Sequence, residues 1–148
     1  MTGLLHGDIN ECNIVIKEDD SNQIYLAGLI DFGEMVLGPA VLDIAIFAIS
    51  IILMNRSHDL DLLHIASLVL QGYCSSGVTF YQRDLELLYL ALPARCSQLI
   101  VMCKYDAIQD PDNSEYILSD VNSSLVILRD FYTIYSISDF VNKLNTAP

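Results

Sequence analysis

Two short runs of β-prone residues constrain this chain more than anything else in it. Cys12-Asn-Ile-Val-Ile-Lys17 and Ile24-Tyr-Leu-Ala-Gly-Leu-Ile30 are separated by the polar cluster Glu18-Asp-Asp-Ser-Asn-Gln23. Runs of this length, rich in Val and Ile and bounded by turn residues, predict a β-hairpin. A hairpin brings its two outer ends together. Here one outer end is His6-Gly-Asp-Ile-Asn10-Glu-Cys-Asn13 and the other is Asp31-Phe-Gly-Glu-Met35. After Gly38-Pro39 the pattern turns helical and stays so. The fold class is therefore α+β and mostly helical: a small hairpin (residues 1–37) followed by a helical part (residues 38–148) of four or five helices.

The helical part divides at its own punctuation. Residues 40–54 are almost continuously apolar, with Leu42, Ala45, Ile46, Ile49, Ile52 and Leu53 at helical spacing, which predicts a helix buried on most sides. Residues 59–73 predict a second helix, with Asp59 as its N-cap and Gly72 near its end. Residues 84–108 predict a third, kinked or split at Pro93, with Cys96, Leu99, Ile100, Cys103 and Ala107 on one stripe. After the breaker Asp110-Pro-Asp-Asn113, a fourth carries Ile117, Val121, Leu125, Leu128 and Tyr132 as its stripe, and a short last helix covers 138–144.

Composition narrows the partners. The 148 residues, 53% of them hydrophobic, suffice for one domain with its own core. Formal net charge is -12, and the seven Lys and Arg residues are scattered. Phosphate-backbone binding needs clustered positive charge, so nucleic acid is disfavoured. An acidic field instead concentrates small cations. The 15-residue apolar run at 40–54 contains Asp43 and falls short of the roughly 20 residues that a membrane span needs. The first residues lack a basic region followed by an apolar stretch, so a secretory signal is not expected. Cys12, Cys74, Cys96 and Cys103 form no metal-binding spacing and read as free thiols of a cytoplasmic protein. His58 and His64 have no supporting acid or thiol pattern.

The two polar ends of the hairpin hold the parts that phosphoryl transfer requires. One carboxylate must orient or accept the proton of the acceptor hydroxyl. A second carboxylate and an amide oxygen hold magnesium, and positioning does the rest. Asp8 is followed five residues later by Asn13, the spacing of a kinase catalytic loop, and Asp31-Phe32-Gly33 comes next across the hairpin. Gly33 would permit a sharp backbone turn there. Asp43, alone in an apolar helix, requires a hydrogen-bonded partner, because an unpaired buried carboxylate is costly.

His6-Gly7-Asp8-x-Asn10-x-x-Asn13 with Asp31-Phe32-Gly33 resembles the aminoglycoside phosphotransferase and choline kinase superfamily, whose fold is protein-kinase-like. The Asp31-Phe-Gly-Glu-Met35 ending, the Gly38-Pro-Ala-Val-Leu-Asp-Ile-Ala-Ile46 helix start and Arg95-Cys-Ser-Gln-Leu-Ile-Val-Met102 are most similar to the hydroxylysine kinases, in their C-terminal part. The resemblance implies a catalytic set of Asp8 as base, His6 as a brace of the loop and Asn10. It implies Asn13 and Asp31 as ligands of Mg2+ and the nucleotide, and Asp43 as the carboxylate tying the first helix to the loop. Glu34 reads as a surface residue that could attract a cation, and Asp106 and Glu115 as candidate receivers of an ammonium group.

The resemblance further implies GTP or ATP as donor and a small cationic hydroxylated acceptor, 5-hydroxy-L-lysine first, with choline or an aminoglycoside as alternatives. Only five residues precede His6; no glycine-rich phosphate loop occurs, and Lys17 lies on the wrong side of the hairpin. The expectation is a C-terminal lobe without its nucleotide lobe, inactive or weak alone. Its mean hydropathy of +0.42 then reflects an uncovered face that the missing lobe or a protein partner would cover. The remaining alternative is a non-catalytic lobe that binds a partner kinase.

Overall fold

The computed structural model describes residues 1–55 and 61–145. Four strands come first: β1 (Thr2–Leu5), β2 (Ile14–Glu18), β3 (Ile24–Leu29) and β4 (Val36–Pro39). Six helices follow: α1 (Val41–Met54), α2 (Leu62–Ser75), α3 (Gln82–Gln109), α4 (Ser114–Ile117), α5 (Val121–Ile134) and α6 (Ile137–Asn145). Single 3-10 turns precede β2 (Glu11–Asn13), β4 (Phe32–Glu34) and α4 (Pro111–Asn113).

The β2–β3 hairpin pairs Ile14 with Leu29 and Glu18 with Ile24, with an irregularity between Val15 and Ile16. A second antiparallel pair encloses it: β1 with β4, Thr2 opposite Pro39 and Leu5 opposite Val36. The sequence pattern missed this outer pair. Each strand has only four residues, too few for a period-2 signal, and their register is set by the hairpin between them. Strand structure thus reaches Pro39, past the boundary expected at residue 37.

The helices bury one core. Ile44, Ala48 and Ile49 of α1, Ala66 of α2, Leu88, Leu92 and Cys96 of α3, Phe131 of α5 and Phe140 of α6 are almost or wholly shielded from solvent. Tyr89, Phe131, Tyr135 and Phe140 form an aromatic cluster, with ring centroids of Tyr89 and Phe131 5.0 Å apart and of Tyr89 and Phe140 5.5 Å apart. Such tilted and edge-on contacts stabilise beyond area burial alone. The Tyr89 hydroxyl donates to the Tyr135 carbonyl at 3.0 Å, so its polar tip is satisfied inside.

Several helical expectations are corrected. α3 runs unbroken through Pro93, neither split nor divided. Leu85, Leu88 and Leu92 before the proline and Cys96 after it sit in the same core, and that burial outweighs the hydrogen bond the proline removes. α3 is also the described helix whose length and apolar content would reach across a bilayer; here it is the shared partner of α1, α5 and α6. The expected fourth helix is two, α4 and α5, because Ser119 and Asp120 favour a helix end over a helix interior. In α5 the inward stripe is Val121, Ser124, Leu128 and Phe131, continued by Tyr135 just past its end, whereas Leu125 and Tyr132 stay 44% and 58% exposed. Of the expected stripe, Val121 and Leu128 turn inward and Leu125 and Tyr132 do not, because apolar residues lie on two sides of this helix. α2 starts at Leu62, where the Asp61 side chain accepts from the Leu63 N–H at 3.1 Å; Asp59 lies outside the described residues. Gly72 lies within α2, three residues before its end.

Candidate active site

The loop between β1 and β2 is built around Asp8. Its carboxylate accepts from Asn10 Nδ2 at 3.0 Å and from Asn13 Nδ2 at 3.3 Å, both on Oδ2. Asn13 Nδ2 also donates to the Asp8 carbonyl at 2.9 Å. Asn10 caps the 3-10 turn, its Oδ1 accepting from the Cys12 N–H at 2.9 Å. One asparagine thus starts the turn and the other ends it, and the turn aims both amides at one carboxylate. Asn13 is buried, and its Oδ1 remains a hard oxygen donor.

His6 ties this loop to the opposite end of the hairpin. Its Nε2–H donates to the Ile30 carbonyl at 3.0 Å, while Nδ1 accepts from the Asp8 N–H at 3.4 Å. The ring packs against Phe32, centroid to centroid 4.9 Å. The Ile30 N–H donates to the Asn13 carbonyl at 3.0 Å. Asp31, next in the chain, is thereby held beside Asn13, and its side chain is exposed.

Two backbone positions make the juncture tight. The sharp turn expected at Gly33 falls instead at Asp31, which has φ 62° and ψ 68°. Left-handed backbone at a non-glycine residue costs about 1–2 kcal/mol, less for Asp, and collects at functional sites. At Gly33 an added Cβ would sit 3.4 Å from Asp31 Oδ1, an ordinary contact. Gly7 is the glycine of this site that a side chain cannot replace. Its φ is +84°, and a Cβ there would overlap the Glu34 carbonyl oxygen and come within 2.9 Å of the Glu34 carbonyl carbon. The loop and the Asp-Phe-Gly turn approach each other through this position. The Glu34 side chain itself is exposed.

Asp43 fastens the helical part to the loop. Oδ2 accepts from the His6 N–H at 2.8 Å and Oδ1 from the Gly7 N–H at 3.0 Å. The carboxylate is buried and its charge also acts on Tyr73, whose hydroxyl is pushed up to about 12, first by burial and second by Asp43.

Sequence reasoning missed Arg95. It stands on α3, 87 residues from Asp8, and its Nη2 lies 3.4 Å from Asp8 Oδ1. The signals available were an arginine in an apolar helical stretch and its place at the start of the Arg95–Met102 run that carries the family resemblance. Its side chain is 13% exposed, against 33% for Asp8. Burial pushes the guanidinium below its ordinary value, and Asp8 offsets this in part. A groove of about 550 Å³ opens from here between the loop, α1, α3 and the α4–α5 turn, with Asn10, Glu11, Arg95, Leu99, Cys103 and Asp120 on its walls. Asp106 and Glu115 are exposed and line no part of it; Asp120 does. His64 is exposed on α2, and His58 lies outside the described residues.

A carboxylate braced by two loop amides, with an Asp-Phe-Gly turn drawn against it over a helical bundle, is the arrangement that phosphotransferases of the kinase type use. The description of the phosphotransferase enzyme family matches residues 1–74, and the chain belongs to that family. Over 113 residues it is 28% identical to hydroxylysine kinase of Danio rerio, covering 76% of this chain and 30% of that protein. Hydroxylysine kinase of Xenopus laevis is 28% identical over 118 residues and that of Mus musculus 27% over 117, with the same shares covered. The chain therefore spans about 30% of the length of these curated relatives. No solved structure matches it.

Proposed function

We propose that this chain is the catalytic-loop lobe of a small-molecule kinase that moves the γ-phosphoryl group of a nucleotide to a hydroxyl of an amino-containing acceptor, 5-hydroxy-L-lysine first. One observation carries the reading: the Asp8 carboxylate is held by Asn10, Asn13 and Arg95, and two of these, Asn10 and Arg95, line a groove of about 550 Å³. Membership of the phosphotransferase family and the likeness to hydroxylysine kinases support it.

In this reading Asp8 orients the acceptor hydroxyl and takes its proton, and His6, Asn10 and Asp43 keep the loop in shape. Asn13 Oδ1 and the Asp31 carboxylate are hard oxygen donors of the kind Mg2+ prefers, few in number, with water and phosphate completing the shell. They fit that ion, which would neutralise charge on the phosphates of GTP or ATP when bound. The acidic chain attracts a cationic acceptor. Leu4, Ile16, Leu26, Val36 and Leu37 leave an apolar surface on the two strand pairs, Leu37 being 75% exposed. A nucleotide lobe is the partner proposed to cover it, and the 148-residue chain alone is expected to bind nucleotide weakly. The exposed thiols of Cys12 and Cys74 suit a reducing cytoplasm.

The test is turnover in a protein that supplies a nucleotide lobe ahead of this chain, with a panel of hydroxylysine, choline and aminoglycoside acceptors. Asp8→Asn is expected to lower kcat by roughly 10²–10⁴-fold, the range of a lost general base. Unchanged turnover in that variant would remove Asp8 from the chemistry. Preference for choline or an aminoglycoside would move the acceptor while leaving the reaction class intact.

A further inference from the structure

Arg95 is held in a way its own protein contacts do not complete. Of its five N–H donors, one meets Gln98 Oε1 at 2.9 Å and one meets Asp8 at the long distance of 3.4 Å. Its Nε–H is buried and, among the described residues, has no partner. A guanidinium this shielded normally receives bidentate, charge-assisted bonds from an oxyanion. The same groove is otherwise acidic and aliphatic. Glu11 and Asp120 are its carboxylates, and Ile46, Leu53 and Leu99 form an apolar wall. Cys103 lies close enough to feel both Asp120 and Arg95. The groove thus carries a cation beside the catalytic carboxylate, acids further along, and apolar surface between them.

We propose that Arg95 receives the α-carboxylate of a zwitterionic acceptor, and that Glu11 and Asp120 receive its ammonium groups, so that the site selects amino acids over simple amines. This rests on the kinase reading of the same groove. An oxyanion could also come from the transferred phosphoryl group, and the experiment separates the two sources.

The experiment is binding to the 148-residue chain, without nucleotide, by calorimetry and by the Nε–H resonance of ¹⁵N-arginine-labelled protein. The probes are 5-hydroxy-L-lysine and its decarboxylated counterpart, 1,5-diaminopentan-2-ol. Wild type is expected to bind the amino acid at least about tenfold more tightly, with a shift of the Arg95 Nε–H signal. Arg95→Gln should erase the preference, and Arg95→Lys should keep part of it, with both variants checked for the wild-type melting transition. Equal binding of the two probes, a preference that survives Arg95→Gln, or no binding of either probe overturns the proposal. Binding of inorganic phosphate at the same Nε–H, with no response to the amino acid, assigns Arg95 to the phosphoryl group and also overturns it. The kinase reading falls separately, on retained turnover in Asp8→Asn.

Discussion

Replacing Asp43 tests how the loop is held. In the 148-residue chain Asp43→Ala leaves the His6 and Gly7 N–H groups, bonded at 2.8 and 3.0 Å, without acceptors in a buried setting. Each bond to a charged acceptor is worth about 1.5–3 kcal/mol. Removing the carboxylate also removes its own desolvation penalty, which offsets part of that loss. The net cost is about 2–4 kcal/mol, a large share of the roughly 5–15 kcal/mol of a typical domain. Asp43→Asn keeps one acceptor oxygen but turns an NH2 toward the second N–H, and should cost about 1–3 kcal/mol. Urea denaturation gives the midpoint and slope, and amide exchange at His6 and Gly7 reads the local opening. The Tyr73 hydroxyl supplies an independent signal. Its value of about 12 should fall in both variants, because the Asp43 charge raises it after burial does. Stability within about 0.5 kcal/mol of wild type, the range of an ordinary surface change, would refute the reasoning.

Three further outcomes follow from positions already described. Gly7→Ala places a methyl group in the space of the Glu34 carbonyl at φ +84°. It should separate the loop from the Asp-Phe-Gly turn and cost about 1–2 kcal/mol for the backbone alone, with loss of the His6–Phe32 ring contact in NMR spectra; an unchanged ring contact would count against it. The Cys96 thiol, fully buried, is pushed up to about 12 from 9.0 by burial first. The folded state thus keeps it neutral while the unfolded chain ionises near pH 9. Its contribution, with that of Tyr73, is intact below pH 9 and is lost as pH rises toward 12; stability that does not decline over that window would contradict the burial. In the native protein iodoacetamide should label Cys12 and Cys74 and spare Cys96.

The parts legible in the sequence are those whose chemistry is local. The β2–β3 hairpin announced itself because β-branched runs and a polar turn lie within a few residues. Asp8, Asn10 and Asn13 share one loop, so their spacing already placed them together. Asp43 could be expected to need a partner because a carboxylate in residues 40–54 has no water to turn to. What stayed hidden depends on distant surfaces. β1 and β4 are strands only because they pair with each other, and Arg95 matters only because α3 folds back onto residue 8. Pro93 does not split α3 for the same reason, since the core it enters outweighs its local preference. Gly7 was passed over in favour of Gly33 because the carbonyl that crowds it belongs to a turn 27 positions away.

The enclosure of β2–β3 by β1–β4 also orders the assembly of the fold. The strands are nested like parentheses, the inner pair closing a short turn and the outer pair spanning about thirty residues between Leu5 and Val36. Once the inner hairpin forms, it acts as a cross-link and roughly halves the free chain between the outer strands. Each halving lowers loop-closure entropy by about 0.6 kcal/mol, so the outer pair zips onto a loop already shortened for it. The segments left between the two pairs are the Asp8 loop and the Asp-Phe-Gly turn. They are brought face to face by the same closure that ends the β unit.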